Sequence, residues 1–252
     1  MKQIILCDDS NPERVLPLCE KYGFGIEMQG FYDTNDIDAK ADILRRYKSA
    51  VPSDMPRYLH APFADLCLGS ANKKIVEVTR FFFDYAYEIG EELGCAGITV
   101  HHGYVPGTSY PPNWVKRSGI YWADFFAAHP GAIKMLMENQ CEANPETLIG
   151  VVDGYSSDRL AVNLDIGHAH CNSPLPVVEW IRQLNHRIKC VHLHQNHGQA
   201  DEHLGLTQGN IPMAEVLTAL NEYAPEAIWA LECNLEAMEE SIAFLERFVQ
   251  LQ

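Results

Sequence analysis

Positive charge is scarce in this 252-residue chain. Lys and Arg number 19 against 34 Asp and Glu, a formal charge of −15. The basic pairs Arg45-Arg46, Lys73-Lys74 and Lys116-Arg117 stand apart from one another. Tight nucleic-acid binding draws its affinity from clustered cations, so a nucleic-acid partner is not expected. Long apolar runs are also missing, and the opening MKQIILCDD turns acidic after a few residues, unlike a secretion signal or membrane helix. A cytoplasmic protein without a membrane partner is expected. No CxxC pair occurs among the eight cysteines at 7, 19, 67, 95, 141, 171, 190 and 233, so buried free thiols account for them better than a disulfide framework or thiolate metal site. No GxGxxG follows the first apolar run, which removes the usual dinucleotide turn.

What is present is a rhythm of short apolar runs: residues 3–7, 24–29, 57–61, 97–101, 133–138, 160–165, 188–194 and 228–232. Helix signals lie between them. Asn11-Pro12 opens one helix, closed by Gly23. Ser70 caps a stripe of Ile75, Val78, Phe82, Ala86, Ile89 and Leu93 that Gly94 stops. Asn144-Pro145 opens a third, and Asn234 precedes a stripe of Leu235, Met238, Ile242, Leu245 and Phe248. These stripes are expected to face the core. Eight strands alternating with helices predict an α/β fold, one (β/α)8 TIM barrel domain over 1–252, with its working face at the C-terminal strand ends. The Pro- and aromatic-rich segment 102–119 is expected to be a long loop covering a substrate.

Nearly every run ends in a metal-binding or acid–base side chain. His60, His101, Glu138 and Asp165 end the third to sixth, His192 and His194 the seventh, and Glu232 the eighth. His168, Asp201 and His203 follow in the loops. A buried, unpaired carboxylate is costly and one histidine alone means little, but six strand ends meeting at one rim point to a divalent metal, zinc or manganese. His192 and His194 point the same way, and either can be the ligand. His102 and His170 are read as supporting or solvated residues, His129 and His186 as surface, and His197 as a loop residue. Tyr104, Tyr110 and Trp114 could cover a sugar ring, and Lys116-Arg117 could meet a phosphate.

In LHAPF (59–63), VHHG (100–103), MEN (137–139), LDIGHAH (164–170), VHLHQN (191–196), DEHLGLTQGNI (201–211) and LECN (231–234), the chain resembles the xylose isomerase-like TIM barrels. That family includes sugar isomerases and epimerases and the endonuclease IV group. For endonuclease IV-like members the resemblance implies three zinc ions: His60 and His101 on one, with Glu138 bridging to a second held by Asp165, His192 and Glu232, and a third held by His168, Asp201 and His203. For the epimerases it implies one ion, often manganese, on Glu138, Asp165, His192 and Glu232, with Glu138 and Glu232 as the catalytic acid–base pair and His194 beside the substrate. Gln195 stands where many relatives carry an acid.

The expected function is a metal-dependent isomerase or epimerase of a small sugar or sugar phosphate, with one to three ions per chain. The alternative is a multinuclear zinc phosphodiester hydrolase, and a third reading is a barrel that binds without turnover. Homo-oligomer formation is left open.

Overall fold

The computed structural model describes residues 2–35, 37–155 and 157–249. Eight strands, β1 (Ile4–Cys7), β2 (Gly25–Met28), β3 (Arg57–His60), β4 (Gly97–His101), β5 (Lys134–Glu138), β6 (Leu160–Asp165), β7 (Ile188–Leu193) and β8 (Ile228–Leu231), pair in parallel and in chain order. Pairing of β8 with β1 closes the barrel. All eight strand expectations therefore hold.

Strand side chains alternate, and both faces are buried, so the runs read as continuously apolar. Residues such as Leu6, Ile26, Leu59, Val100, Met137, Leu164 and Val191 point outward into the main core beneath the helices. Ile5, Cys7, Tyr58, Leu136, Ala161, Cys190 and Ala230 form a small inner cluster. Counting upward by two from that cluster reaches 60, 138, 163 and 165, 192 and 194, and 232, and from its register partners Gly25 and Gly97 the same count reaches 27 and 29, and 99 and 101. The polar residues at the strand ends therefore rise from the inner face and share one mouth.

The helices are α1 (Pro12–Tyr22), α2 (Lys40–Ala50), α3 (Lys73–Leu93), α4 (Pro111–Ala128), α5 (Glu146–Tyr155), α6 (Ile166–Asn172), α7 (Val177–Leu184), α8 (Met213–Tyr223) and α9 (Met238–Leu245). α1 begins with proline, whose missing N–H is harmless at that position, and stops at Gly23 with φ +68°. Asn144 accepts from the Glu146 backbone N–H at 3.0 Å, just before α5. Asn234 likewise accepts from the Ala237 N–H at 3.0 Å, ahead of α9.

Four local expectations are corrected. α3 is capped by Asn72, which accepts from Lys74 N at 3.0 Å, while Ser70 acts one step earlier by accepting from Asn72 N. Ile75 and Val78 face solvent at 38% and 51% exposure, so the buried stripe runs only from Thr79 and Phe82 onward. The segment 102–119 is loop only to residue 110, because Pro111 and Pro112 start the first turn of α4. His129 is not a surface residue. Its ring lies 4.3 and 4.5 Å from those of Tyr87 and Phe125, and its Nε2 is 2.7 Å from Asp84. The eight cysteines are free thiols, five of them buried. Among the described residues no helix is long and apolar enough to cross a membrane.

Candidate metal centre

Glu138, the last residue of β5, is buried and faces two groups of donors. Its Oε2 lies 3.3 Å from His60 Nε2 and 3.6 Å from His101 Nε2, the last residues of β3 and β4. Its Oε1 lies 3.5 Å from His192 Nδ1 and 3.3 Å from His168 Nδ1. His192 Nδ1 is the common point of the second group. Glu232 Oε2 approaches it to 2.9 Å, and Asp165 Oδ2 to 3.7 Å. Yet neither His192 Nδ1 nor Glu138 Oε2 makes a hydrogen bond among the described residues.

A third group lies outward. Asp201 Oδ2 sits 3.2 Å from His168 Nε2 and 2.8 Å from His203 Nε2. His194, expected beside the substrate, is fully buried with Nε2 at 3.1 Å from Asp165 Oδ2 and 3.7 Å from Asp201 Oδ1. Its ring stacks on His203 at 4.3 Å. Donor atoms of His60, His101 and Glu138 lie within 4.8 Å of one another, as do those of Glu138, Asp165 and His168, of Asp165, His194 and Glu232, and of His194, Asp201 and His203. All nine expected metal residues thus belong to one connected constellation, with His194 beside them.

The electrostatics suit cation binding. Burial pushes His101 down to about 4, leaving a neutral imidazole with a free lone pair. Burial pulls Glu138 and Asp165 upward, but the neighbouring imidazoles outweigh it and hold both carboxyls well below the ordinary range. For His203 burial works downward, and Asp201 and Glu232 overcome it, raising the ring to about 10. Glu138 Oε2 and His192 Nδ1, buried beside opposite partners yet without a hydrogen bond among the described residues, are a costly arrangement that a divalent ion would relieve. Imidazole and carboxylate together suit zinc, manganese or iron. The residues therefore fit a metal.

The residues expected to meet substrate are placed differently. Trp114 is buried on α4, and its indole N–H donates to His102 Nε2 at 3.0 Å. Tyr104 is also buried, with its ring 5.3 Å from that of Trp114. Arg117 donates to the Gly69 carbonyl at 2.6 Å and to Ser109 Oγ at 2.7 Å, and Lys116 is exposed on α4. The structure spends the two rings and the guanidinium on fastening the β4–α4 loop, and does not bring them to the donor constellation. His102 holds Trp114, His170 reaches Asn210 at 2.7 Å, His197 pairs with Glu202 at 2.9 Å, and His186 is exposed.

Sequence reasoning passed over β2 and the end of β1. Glu27 is fully buried, 3.0 Å from His192 Nε2. Gln29 donates to Glu232 Oε1 at 2.6 Å, and Asn139 clasps the Asp165 backbone from both sides. The signal was one acid and one amide, two residues apart, in the strand-like run FGIEMQ.

The sequence profile of the xylose isomerase-like TIM barrel family matches residues 16–248. The chain belongs to that family. An uncharacterized protein of Methanocaldococcus jannaschii, MJ1311, is 29% identical over 208 residues, covering 77% of this chain and 70% of its own. A probable endonuclease 4 of Mycobacterium leprae is 25% identical over 242 residues, 91% of this chain and 93% of that one. The crystal structure of a D-tagatose 3-epimerase-like protein superposes with a TM-score of 0.76 at 25% identity, covering 98% and 97% of the two chains.

Proposed function

We propose that this barrel is a metal-dependent isomerase or epimerase of a small sugar or sugar phosphate. The observation that carries the reading is the set around His192 Nδ1, where carboxylates from Glu138, Asp165 and Glu232 stand 3.5, 3.7 and 2.9 Å away. These four residues would hold one divalent ion, manganese or zinc. When bound, such an ion polarises a substrate carbonyl and acidifies the adjacent C–H. The rest is work for the chain. Glu138 and Glu232 come from strands three apart around the barrel and converge on the same nitrogen. One carboxylate can take a proton from the carbon beside the carbonyl, and the other can return it to the opposite face. His192 fixes the spacing between them, and Asn139 and the His168 N–H fix Asp165. Similarity to the D-tagatose 3-epimerase-like protein supports this reading, as does a charge of −15, which disfavours a polyanionic substrate.

A second reading has its own observation. Glu138 Oε2 turned toward His60 and His101, together with the His168–Asp201–His203 group, supplies donors for further ions, as a multinuclear zinc phosphodiesterase would need. Metal analysis and turnover separate the two. One ion per chain and solvent deuterium entering a ketose at the carbon beside the carbonyl support the epimerase. Three zincs per chain and cleavage of a phosphodiester, with no deuterium uptake by any sugar, would overturn it. A chain that binds sugars unchanged whether residue 138 is Glu or Gln would favour the binding barrel.

A further inference from the structure

β2 donates nothing to the proposed metal set, yet two of its inward positions touch that set. Glu27 and Gln29 are two apart and face the same way, the second just past the strand end. Glu27 Oε1 lies 3.0 Å from His192 Nε2. Its other oxygen accepts from Thr99 Oγ1 at 3.2 Å, and Thr99 Oγ1 is in turn 3.4 Å from Asn163 Nδ2. Gln29 donates its amide to Glu232 Oε1 at 2.6 Å, leaving Glu232 Oε2 turned to His192 Nδ1. Gln29 itself is held at both ends. Its backbone N–H donates to Asp8 Oδ1 at 2.9 Å, and its side-chain oxygen accepts from Asp9 N at 3.0 Å. Asp8 is buried and accepts from the Tyr47 hydroxyl at 2.6 Å.

We propose that β2 is the orienting strand of the centre: Glu27 keeps the proton of His192 on Nε2, so that Nδ1 meets the ion, and Gln29 turns one oxygen of Glu232 toward that ion. Both are positioning residues. Interiors of eight-stranded barrels are ordinarily filled by branched aliphatic side chains, so a fully buried carboxylate at this level is a costly choice. Its position accounts for it. Imidazole ligands are commonly oriented by a carboxylate on the far nitrogen, which settles the tautomer and raises the basicity of the ligating one. Glu27 has both oxygens engaged by the protein and serves the ring. The inference rests on the reading that His192 and Glu232 bind a divalent ion.

The test uses the whole chain and zinc alone. In the zinc-loaded wild type, 15N NMR should show the His192 proton on Nε2 and the metal-shifted resonance on Nδ1. Chelator competition should show zinc affinity falling by about 10–100-fold in Glu27→Leu. Glu27→Gln keeps a carbonyl acceptor and should lose less. Gln29→Leu should weaken zinc while leaving the His192 resonances in place. Zinc ligated through Nε2 of His192, or Glu27→Leu binding within threefold of wild type, overturns the inference. The NMR readout stands even where a variant fails to fold. A wild-type chain that takes up neither zinc nor manganese would sink the metal reading itself, an outcome distinct from uptake that ignores Glu27.

Discussion

Glu138→Gln is the most informative single change, because each oxygen of Glu138 faces a different group of donors. Oε1 lies 3.5 Å from His192 Nδ1, and Oε2 lies 3.3 and 3.6 Å from the Nε2 atoms of His60 and His101. An amide keeps the shape but turns an N–H2 toward one group, where it can only repel a cation. A ligand that binds only the folded state adds about 4 kcal/mol of stability at a free concentration 1,000 times its Kd. For a domain of this size each kcal/mol moves Tm by about 2–4 °C, so saturation of the wild type with zinc or manganese should raise Tm by about 8–16 °C. In Glu138→Gln the rise should shrink to about 4 °C or less. Calorimetry of chelated and metal-saturated samples reads both values, with circular dichroism confirming the fold. Metal-free protein gives a second check. Neighbouring imidazoles hold the Glu138 carboxyl well below its ordinary range, so its stabilising contribution is complete above pH about 4.5 and is lost as pH falls through the lower folded value. The deficit of Glu138→Gln relative to wild type should therefore narrow in acid. A variant that keeps the full metal-induced shift would refute the claim that Glu138 joins the two groups.

Two further substitutions test the surroundings. A methyl group on Gly167 would fall on the His194 ring, so Gly167→Ala should cost about 1–3 kcal/mol in denaturant unfolding and weaken metal retention; unchanged stability would contradict the placement of His194 against Asp165. Burial raises the Asp8 carboxyl from 3.8 to about 6, so its contribution is present below pH about 4 and lost as pH rises through about 6. Asp8→Asn lacks that loss and should gain on wild type by up to about 3 kcal/mol between pH 4 and 7 in paired unfolding titrations, whereas a constant difference across that range would argue against an ionising, buried Asp8.

The barrel was legible because parallel strands buried on both faces are continuous apolar runs, and eight of them recur at helix-sized intervals. Most donors were legible for a related reason. A run such as IKMLME cannot end in an acid at the barrel mouth without something to compensate it, so Glu138 announced itself. Glu27 carries the same signal one residue deeper, inside β2 rather than at its end, and a search confined to strand termini passes over it. Gln29 ends its run but as a neutral amide, and its value shows only in the 2.6 Å contact with Glu232, more than 200 residues away. Trp114 misled in the opposite direction. An aromatic in a Pro-rich segment reads as a substrate cover, but the two prolines at 111 and 112 start a helix that turns the indole inward to His102.

Gln195 shows why a departure from a motif needs its three-dimensional partners to be understood. Its amide donates to the carbonyls of Leu206 and Ile211, at 3.2 and 2.9 Å, while its oxygen accepts from the Ile211 N–H at 2.9 Å. A carboxylate could make the last of these bonds and would face two carbonyl oxygens at the other positions. The backbones of Gln195 and Leu204 also exchange two hydrogen bonds, so residue 195 fastens both ends of the glycine-rich loop that follows Asp201 and His203. Glycine is required at 209 for the same reason, because a Cβ there would strike the Gln195 side chain. A neutral clamp can be buried among carbonyls without adding charge to a mouth that already holds Glu138, Asp165, Asp201 and Glu232. The amide at 195 thus secures the outer donors without competing with them for a cation.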